Sequence, residues 1–198
     1  MRKTEADKRV RRTHEALRNA LLDLMLQHGY EALSVQDILD RAAVGRATFY
    51  FHYRNKEDLL RRSLDELRKH LSEQWKSTSG SRGESSAPLG FSLAFFRHVD
   101  GHRKLYRAVV GRESGVIVDR QMRRLLVGLV AEGIAASDRG GRNPIWAEMA
   151  SQYVAGAMMS IVTWWLDRNI KLSPEDIDAV FREMTGPALQ AMQRFQKD

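Results

Sequence analysis

The sequence has no cysteine among its 198 residues. This absence excludes disulfides, thiolate zinc sites and cysteine nucleophiles, and it is compatible with a reducing compartment. Catalytic and nucleotide-binding motifs are lacking as well, because neither GxSxG, nor a P-loop, nor GxGxxG occurs. We therefore predict a protein that is not an enzyme, with no catalytic residue and no cofactor.

The sequence also lacks a clear membrane or export segment. Its N-terminus has no apolar stretch followed by a small-residue cleavage site, so we predict no signal peptide. The longest uncharged stretch, 149–166, is long enough for a short membrane span, but it includes Ser151, Gln152, Ser160 and Thr163. A buried helix is the better interpretation, and we expect a cytoplasmic protein that does not enter a membrane.

Positive charge is in excess, with a formal net charge of +7 and a pI of about 9.9. A basic balance favours nucleic acid or another acidic surface as the partner. The excess is spread along the chain, since residues 1–60 carry 11 Lys/Arg against 9 Asp/Glu. Any nucleic-acid site must therefore depend on where the charges lie.

Helical periodicity dominates the chain, and no segment alternates with the period of a strand. After a polar arm at 1–12, a first helix is predicted to end at a left-handed Gly29. A capping-box-like Ser34 to Asp37 starts a short second helix, and Asn55 caps a fourth. A Ser/Gly-rich loop at 77–90 precedes further helices predicted at about 91–110, 115–136, 144–170 and 174–196.

The stretch RATFYFHYRNK, residues 46–56, mixes aromatic and basic side chains. We predict a short third helix over 46–52 that buries Phe49 against the second helix. This arrangement is a helix–turn–helix unit, which places its second helix in the DNA major groove. Arg46 suits a bidentate contact to guanine, and the small Ala47 allows approach to a thymine methyl.

Residues 29–60, GYEALSVQDILDRAAVGRATFYFHYRNKEDLL, resemble the DNA-binding domain of tetracycline-repressor-like (TetR) regulators. The resemblance implies an all-α protein. An N-terminal three-helix helix–turn–helix domain (1–60, with the unit at about 34–53) is then joined by helix 4 to a larger helical ligand-binding and dimerisation domain (61–198). The family often has Ser where this chain has Gly45, and Gly is also tolerated as an N-cap. The predicted DNA contacts are Ser34, Gly45, Arg46, Ala47, Thr48, Tyr50, Phe51, His52 and Lys56.

The C-terminal region resembles one TetR subgroup less strongly and predicts no particular ligand. A sensor pocket is expected among Phe95, Phe96, His98, His102, Tyr106, Trp146, Met149, Tyr153 and Trp164, although such side chains are usually plain core. The two histidines are spaced as metal ligands, but zinc needs three or four, so no metal site is predicted. For the dimer interface the sequence offers Ile177, Val180, Phe181, Met184, Leu189, Met192 and Phe195.

The combined prediction is a homodimeric regulator that binds a palindromic operator in double-stranded DNA. An unknown small-molecule effector releases it, most simply as a repressor. The alternative is a helical adaptor that binds DNA weakly or not at all and acts through a protein partner. Activation or repression, the operator, and the number of dimers on it all stay open.

Overall fold

The computed structural model describes residues 2–79, 89–110, 116–137 and 144–194. Within those ranges the chain forms nine α-helices and no strand, which confirms the all-α prediction. The helices are α1 (Arg2–His28), α2 (Val35–Ala42), α3 (Arg46–His52), α4 (Lys56–Ser79), α5 (Ser92–Gly101), α6 (Arg103–Val110), α7 (Val116–Ser137), α8 (Pro144–Asp167) and α9 (Pro174–Arg194).

The first helix begins at Arg2, so the predicted polar arm at 1–12 is wrong where the structure describes it. Those residues contain no Pro or Gly that would interrupt a helix, and Arg11 and Glu15 form an i,i+4 ion pair at 3.6 Å. The far end follows the prediction, because Gly29 has φ 73° and its amide bonds to the carbonyl of Met25 at 3.0 Å.

A tight turn joins α2 to α3. Ser34 caps α2 in a reciprocal capping box with Asp37, as the sequence predicts. The helix ends at Ala43, which adopts a left-handed conformation with φ 52°, and Gly45 is the N-cap of α3. Phe49 is fully buried beneath this turn, together with Ile38 of α2, so the predicted small core is confirmed.

The long α4 packs against both α1 and α7. Its residues Leu59, Leu60, Leu71 and Trp75 are buried, and they belong to one continuous apolar cluster that extends from α1 to α9. A single helix therefore contributes to the core beside α1 and to the core beside α7.

Residues 91–110 form two helices and not the one that the periodicity predicts. The helix is interrupted after Gly101, because His102 has φ −128° and ψ 31°. The His102 amide donates to the carbonyl of Val99 at 3.1 Å. Gly has a low helix propensity, and the break allows α6 to turn onto α1 and α8 while α5 packs on α9.

The described side chains among the predicted dimer-interface residues of α9 fall into a buried set and an exposed set. Ile177, Phe181 and Leu189 are buried in their own protomer, and the Phe181 ring lies 5.6 Å from that of Phe96 in α5. Val180 and Met184 are 54% and 68% exposed. Phe195 and the side chain of Met192 lie outside the described residues. None of the described helices combines the length and apolarity of a membrane span.

Candidate nucleic-acid interface and cavity

The seven-residue α3 is buried on one side only. Phe49 is fully buried, whereas Tyr50 is 53% exposed and Phe51 is 84% exposed. The remaining exposed positions of this helix are Arg46, Ala47 and Thr48. The exposed side of α3 thus presents two aromatic rings beside Arg46, Ala47 and Thr48.

Neighbouring side chains hold α3 in position from both ends. At its start, the guanidinium of Arg46 donates to Oε1 of Gln36 in α2 at 2.8 Å. At its end, Tyr53 is buried and its hydroxyl lies 2.7 Å from Nδ1 of His14 in α1. No local pattern identifies His14 as the partner of Tyr53, because the two residues are 39 positions apart in the chain.

His14, His52 and Tyr53 form an aromatic cluster between α1 and α3. The His14 and His52 rings meet edge to face with centroids 4.7 Å apart. Burial lowers the pKa of His14, and the neighbouring His52 lowers it further. Burial also raises the pKa of Tyr53 to about 12. His52, a predicted phosphate contact, is therefore also part of the packing of α3.

Lys56 has a different role from the predicted one. Its ammonium donates to the backbone carbonyls of Tyr30, Glu31 and Leu33 at 3.0, 3.2 and 2.7 Å. An ammonium has three donors, so all three are used to close the α1–α2 connection. In this arrangement none remains for a DNA phosphate.

Ser34 is similarly occupied. Its hydroxyl donates to the carboxylate of Asp37 at 2.7 Å and accepts from the Asp37 amide at 3.2 Å. The only proton of the hydroxyl is thus committed to the capping box. The predicted contacts that remain open to DNA are those on α3 and its N-cap.

A cavity of about 470 Å³ lies between α1, α4, α7 and the α5–α6 break. This volume is within the range of small-molecule sites. Its walls are mainly apolar, with histidines and a few other polar groups among them. The lining residues are Arg18, Asn19, Leu22, Met25, Leu60, Ser63, Leu64, Glu66, Leu67, His70, His98, His102, Leu105, Tyr106, Val118 and Met122.

Three of the predicted pocket residues, His98, His102 and Tyr106, line this cavity. The others do not belong to it. Phe95 and Phe96 are core residues at 1% and 0% exposure, and Met149, Tyr153 and Trp164 are exposed on α8, with Trp146 partly buried there. The cavity therefore has no wall from α8.

Helical periodicity does not identify the walls contributed by α1 and α4. Leu64 and Leu67 belong to an apolar stripe along α4, but periodicity does not distinguish a core position from a cavity wall. His70, on the same helix, carried no signal at all.

The histidines around the cavity affect one another. The rings of His98 and His102 stack with centroids 4.4 Å apart. Burial, followed by the nearby His102 and His70, lowers the pKa of His98 to about 4. His98 is therefore neutral near pH 7. The described residues bring together no group of three or more metal-ligating side chains.

Ion pairs connect α4 to α7 along its length. Arg120 pairs with Glu57 at 2.6 Å in the first turn of α4. Further along, Arg68 pairs with Glu132 at 3.2 Å, and Ser72 donates to the same carboxylate at 2.9 Å. Of these contacts, the Arg120–Glu57 pair joins α7 to the first turn of α4, next to α3 in the chain.

Two family models match the chain. Residues 17–62 match the model for bacterial regulatory proteins of the tetR family. Residues 86–186, half of the chain, match a model for the C-terminal region of transcriptional regulators. The chain belongs to the TetR family of transcriptional regulators.

Known TetR-family proteins share the fold over most of their length. A TetR regulator from Streptococcus agalactiae 2603V has a TM-score of 0.63 at 21% identity, with 92% of this chain and 98% of that one covered. FadR from Bacillus subtilis, in complex with stearoyl-CoA, has a TM-score of 0.56 at 19% identity, with coverage of 86% and 96%. At these identities the likeness concerns the fold alone.

Sequence similarity to a curated TetR-type relative is more local. The HTH-type transcriptional regulator YxbF of Bacillus subtilis (strain 168) is 41% identical over 95 residues, which is 46% of this chain and 25% of that protein. The match thus spans about a quarter of that relative. In this TetR-family chain, α2 and α3 are the helix–turn–helix unit.

Proposed function

We propose that this TetR-family chain binds a palindromic DNA operator as a homodimer and that a small molecule controls the binding. The observation that carries the DNA part is α3, which buries Phe49 and leaves Arg46, Tyr50 and Phe51 exposed. A recognition helix enters the major groove with its N-terminal residues at base edges. We also propose a DNA-binding unit at 1–60 and a sensor unit at 61–198.

The proposed contacts divide into base-reading and phosphate-binding groups. Arg46 would leave Gln36 and pair with guanine, because a bidentate contact is favourable and the present partner is a neutral amide. Tyr50 and Thr48 supply hydroxyl donors for phosphates, and Gly45 and Ala47 allow close approach of the backbone. His52 contributes from the end of α3, where Phe51 would contact sugar or thymine methyl groups.

Dimerisation is supported by an apolar surface on α8 and α9. We define the α8–α9 face by Ile145, Met149, Tyr153, Trp164, Val180 and Met184, which are 41–72% exposed. Several large apolar side chains left exposed on two neighbouring helices suit a protein–protein interface. A second copy of the chain would cover them, and two copies are needed to reach successive turns of the groove, about 34 Å apart.

Size-exclusion chromatography with light scattering tests the dimer through a matched pair of substitutions. Val180→Glu lies on the α8–α9 face, whereas Val116→Glu changes an 81% exposed residue of α7. We expect the wild type and Val116→Glu to be dimers and Val180→Glu to shift toward monomer. Equal masses for all three proteins would place the interface elsewhere.

The effector part of the proposal rests on the cavity. It is bordered by α1 and α4 as well as by α5–α7, so a ligand there contacts both proposed units. A ligand that binds one spacing of the recognition helices better than the other shifts the equilibrium by its difference in affinity. A repressor released by its ligand is the simplest outcome, and an activator would use the same contacts with the opposite preference.

Fluorescence anisotropy on DNA from upstream of the gene tests the central claim. We expect affinity to fall about 10³-fold between 50 and 200 mM salt, because several phosphates are contacted. Arg46→Ala and Tyr50→Ala should each weaken binding by at least tenfold. Lys171→Ala, which removes a positive charge from the α8–α9 connection, is the control and should change little.

The alternative function, a helical adaptor, predicts a different pattern. Binding would be weak, and Arg46→Ala would resemble Lys171→Ala at every salt concentration. That result would remove the DNA-binding proposal while leaving the α8–α9 face as a docking surface.

A further inference from the structure

The chemistry of the cavity allows its ligand class to be inferred, on the basis of the proposed function. The polar groups of its walls include His70 of α4, His98 and His102 of the α5–α6 break, and Tyr106 of α6. Leucine and methionine side chains supply most of the rest of the surface. Such a cavity suits a ligand with an apolar body and a single polar head.

Tyr106 requires a hydrogen-bond acceptor. The residue is 3% exposed, and its hydroxyl is buried without a hydrogen-bond partner among the described residues. Burial raises the pKa of the phenol, so the hydroxyl keeps its proton at neutral pH. A buried donor left without a partner is costly, and a ligand oxygen would satisfy it.

His102 changes from acceptor to donor when it gains a proton. Its Nδ1 lies 2.9 Å from the carbonyl oxygen of His98. A carbonyl can only accept, so Nδ1 carries the proton and the neutral ring leaves Nε2 as an acceptor. Protonation at Nε2 creates a second donor, and the stacked His98 provides an alternative place for the same proton.

The other charges around the cavity are already balanced. Arg18 of α1 pairs with Glu66 of α4 at 2.9 Å, and α7 contributes the uncharged Val118 and Met122. Beside the histidines, Asp100 is paired with Arg103 at 2.8 Å. A ligand of fixed charge would therefore lack a counter-ion, unless its charge draws a proton onto the histidines.

We propose that the cavity binds an apolar monocarboxylate, whose carboxylate accepts from Tyr106 and from one imidazolium formed on the His98–His102 pair. Charge and protons balance, because the ligand enters as the anion and the protein takes one proton from solvent. No covalent bond forms or breaks. The pair of carboxylate and imidazolium is neutral as a whole, which lowers the cost of placing the ligand charge in a mainly apolar cavity.

Isothermal titration calorimetry of the DNA-free protein with decanoate, below its micelle concentration, tests this proposal. Repeating the titration at pH 7.5 in phosphate and in Tris gives the number of protons exchanged. We expect uptake approaching one proton per ligand, and binding up to about tenfold tighter for each unit that the pH falls between 8 and 7. Decan-1-ol and decanamide, of equal chain length, should bind at least tenfold more weakly.

Variants separate the proposed contacts from general packing. Tyr106→Phe should weaken decanoate about tenfold, since one hydrogen bond to a charged group is lost. The control is Tyr30→Phe, because the Tyr30 hydroxyl is also buried and without a partner among the described residues, yet it lies outside the cavity lining. The double variant His98→Gln/His102→Gln should abolish proton uptake.

Several results would overturn the proposal. These are equal affinity for decan-1-ol, binding without proton uptake, or equal effects of Tyr106→Phe and Tyr30→Phe. The DNA titration is separate. If decanoate binds as expected but leaves the operator complex unchanged, the ligand class stands and the coupling part of the proposed function fails. If the operator is bound and decanoate is not, the ligand class alone fails.

Discussion

The short helix α3, the proposed recognition helix, and the cavity are built in different ways. In α3, seven consecutive residues provide both the buried Phe49 and the exposed Tyr50 and Phe51. The cavity takes its walls from helices between Arg18 and Met122. A site formed by one short segment leaves a local pattern in the sequence, whereas a site formed by five helices does not.

The largest effect is expected from Phe49→Ala, which should reduce the free energy of unfolding by about 3–5 kcal/mol. The matched control is Phe51→Ala on the same helix, where the ring is 84% exposed and the change should stay within about 0.5 kcal/mol. Urea denaturation at fixed protein concentration measures both. Similar losses for the two variants would contradict the one-sided burial of α3.

Next in size is Lys56→Met, which keeps the aliphatic stem and removes the ammonium. Three carbonyls of the α1–α2 connection lose their donor, so we expect about 1–3 kcal/mol of destabilisation. A phosphate contact alone would leave stability unchanged and reduce only the salt dependence of DNA binding. Measuring urea denaturation and anisotropy on the same variant decides between the two roles.

A smaller effect should appear as pH dependence in the cavity. Because the pKa of His98 is about 4 in the folded protein and about 6.5 when unfolded, the unfolded chain binds more protons between these values. Stability is therefore lost as the pH falls from 6.5 toward 4, by about 1–2 kcal/mol once the partial exposure of the ring is discounted.

His98→Gln removes this group and should flatten that part of the stability profile. His28→Gln, at the exposed end of α1, is the control and should keep the wild-type slope. If all three proteins show the same slope between pH 6.5 and 4, His98 is not the group responsible.

The smallest effect is expected from Arg120→Ala. This side chain is 61% exposed in its pair with Glu57, and exposed pairs contribute about 0–1 kcal/mol. Thermal unfolding should change little. A loss well above 1 kcal/mol would show that the α4–α7 contact is more than a surface ion pair, and would make it the main connection between the two proposed units.

Features encoded within a few residues could be predicted well. The capping boxes at Ser34 and Ser173, the left-handed Gly29 and the buried Phe49 all depend on partners nearby in the chain. Their geometry follows from helix periodicity and capping chemistry. The TetR resemblance rested on the same local segment, which explains why it identified the family before any ligand site.

Features that need distant partners could not be predicted. The carbonyls that accept from Lys56 lie 23–26 residues away in the chain, and no local pattern connects them with this side chain. Of the nine side chains in the pocket prediction, three line the cavity, two are core residues of α5, and four belong to α8 but do not line the cavity.

The sequence by itself determined most of the helices and several of their caps, because these depend on contacts within one or two helical turns. Only the tertiary structure decided which apolar side chains are core, cavity wall or exposed face. The free energy of hydrophobic burial depends on the area buried and not on which group covers it. An apolar stripe therefore predicts only that this face of the helix will be covered. The packing of the other helices decides what covers it.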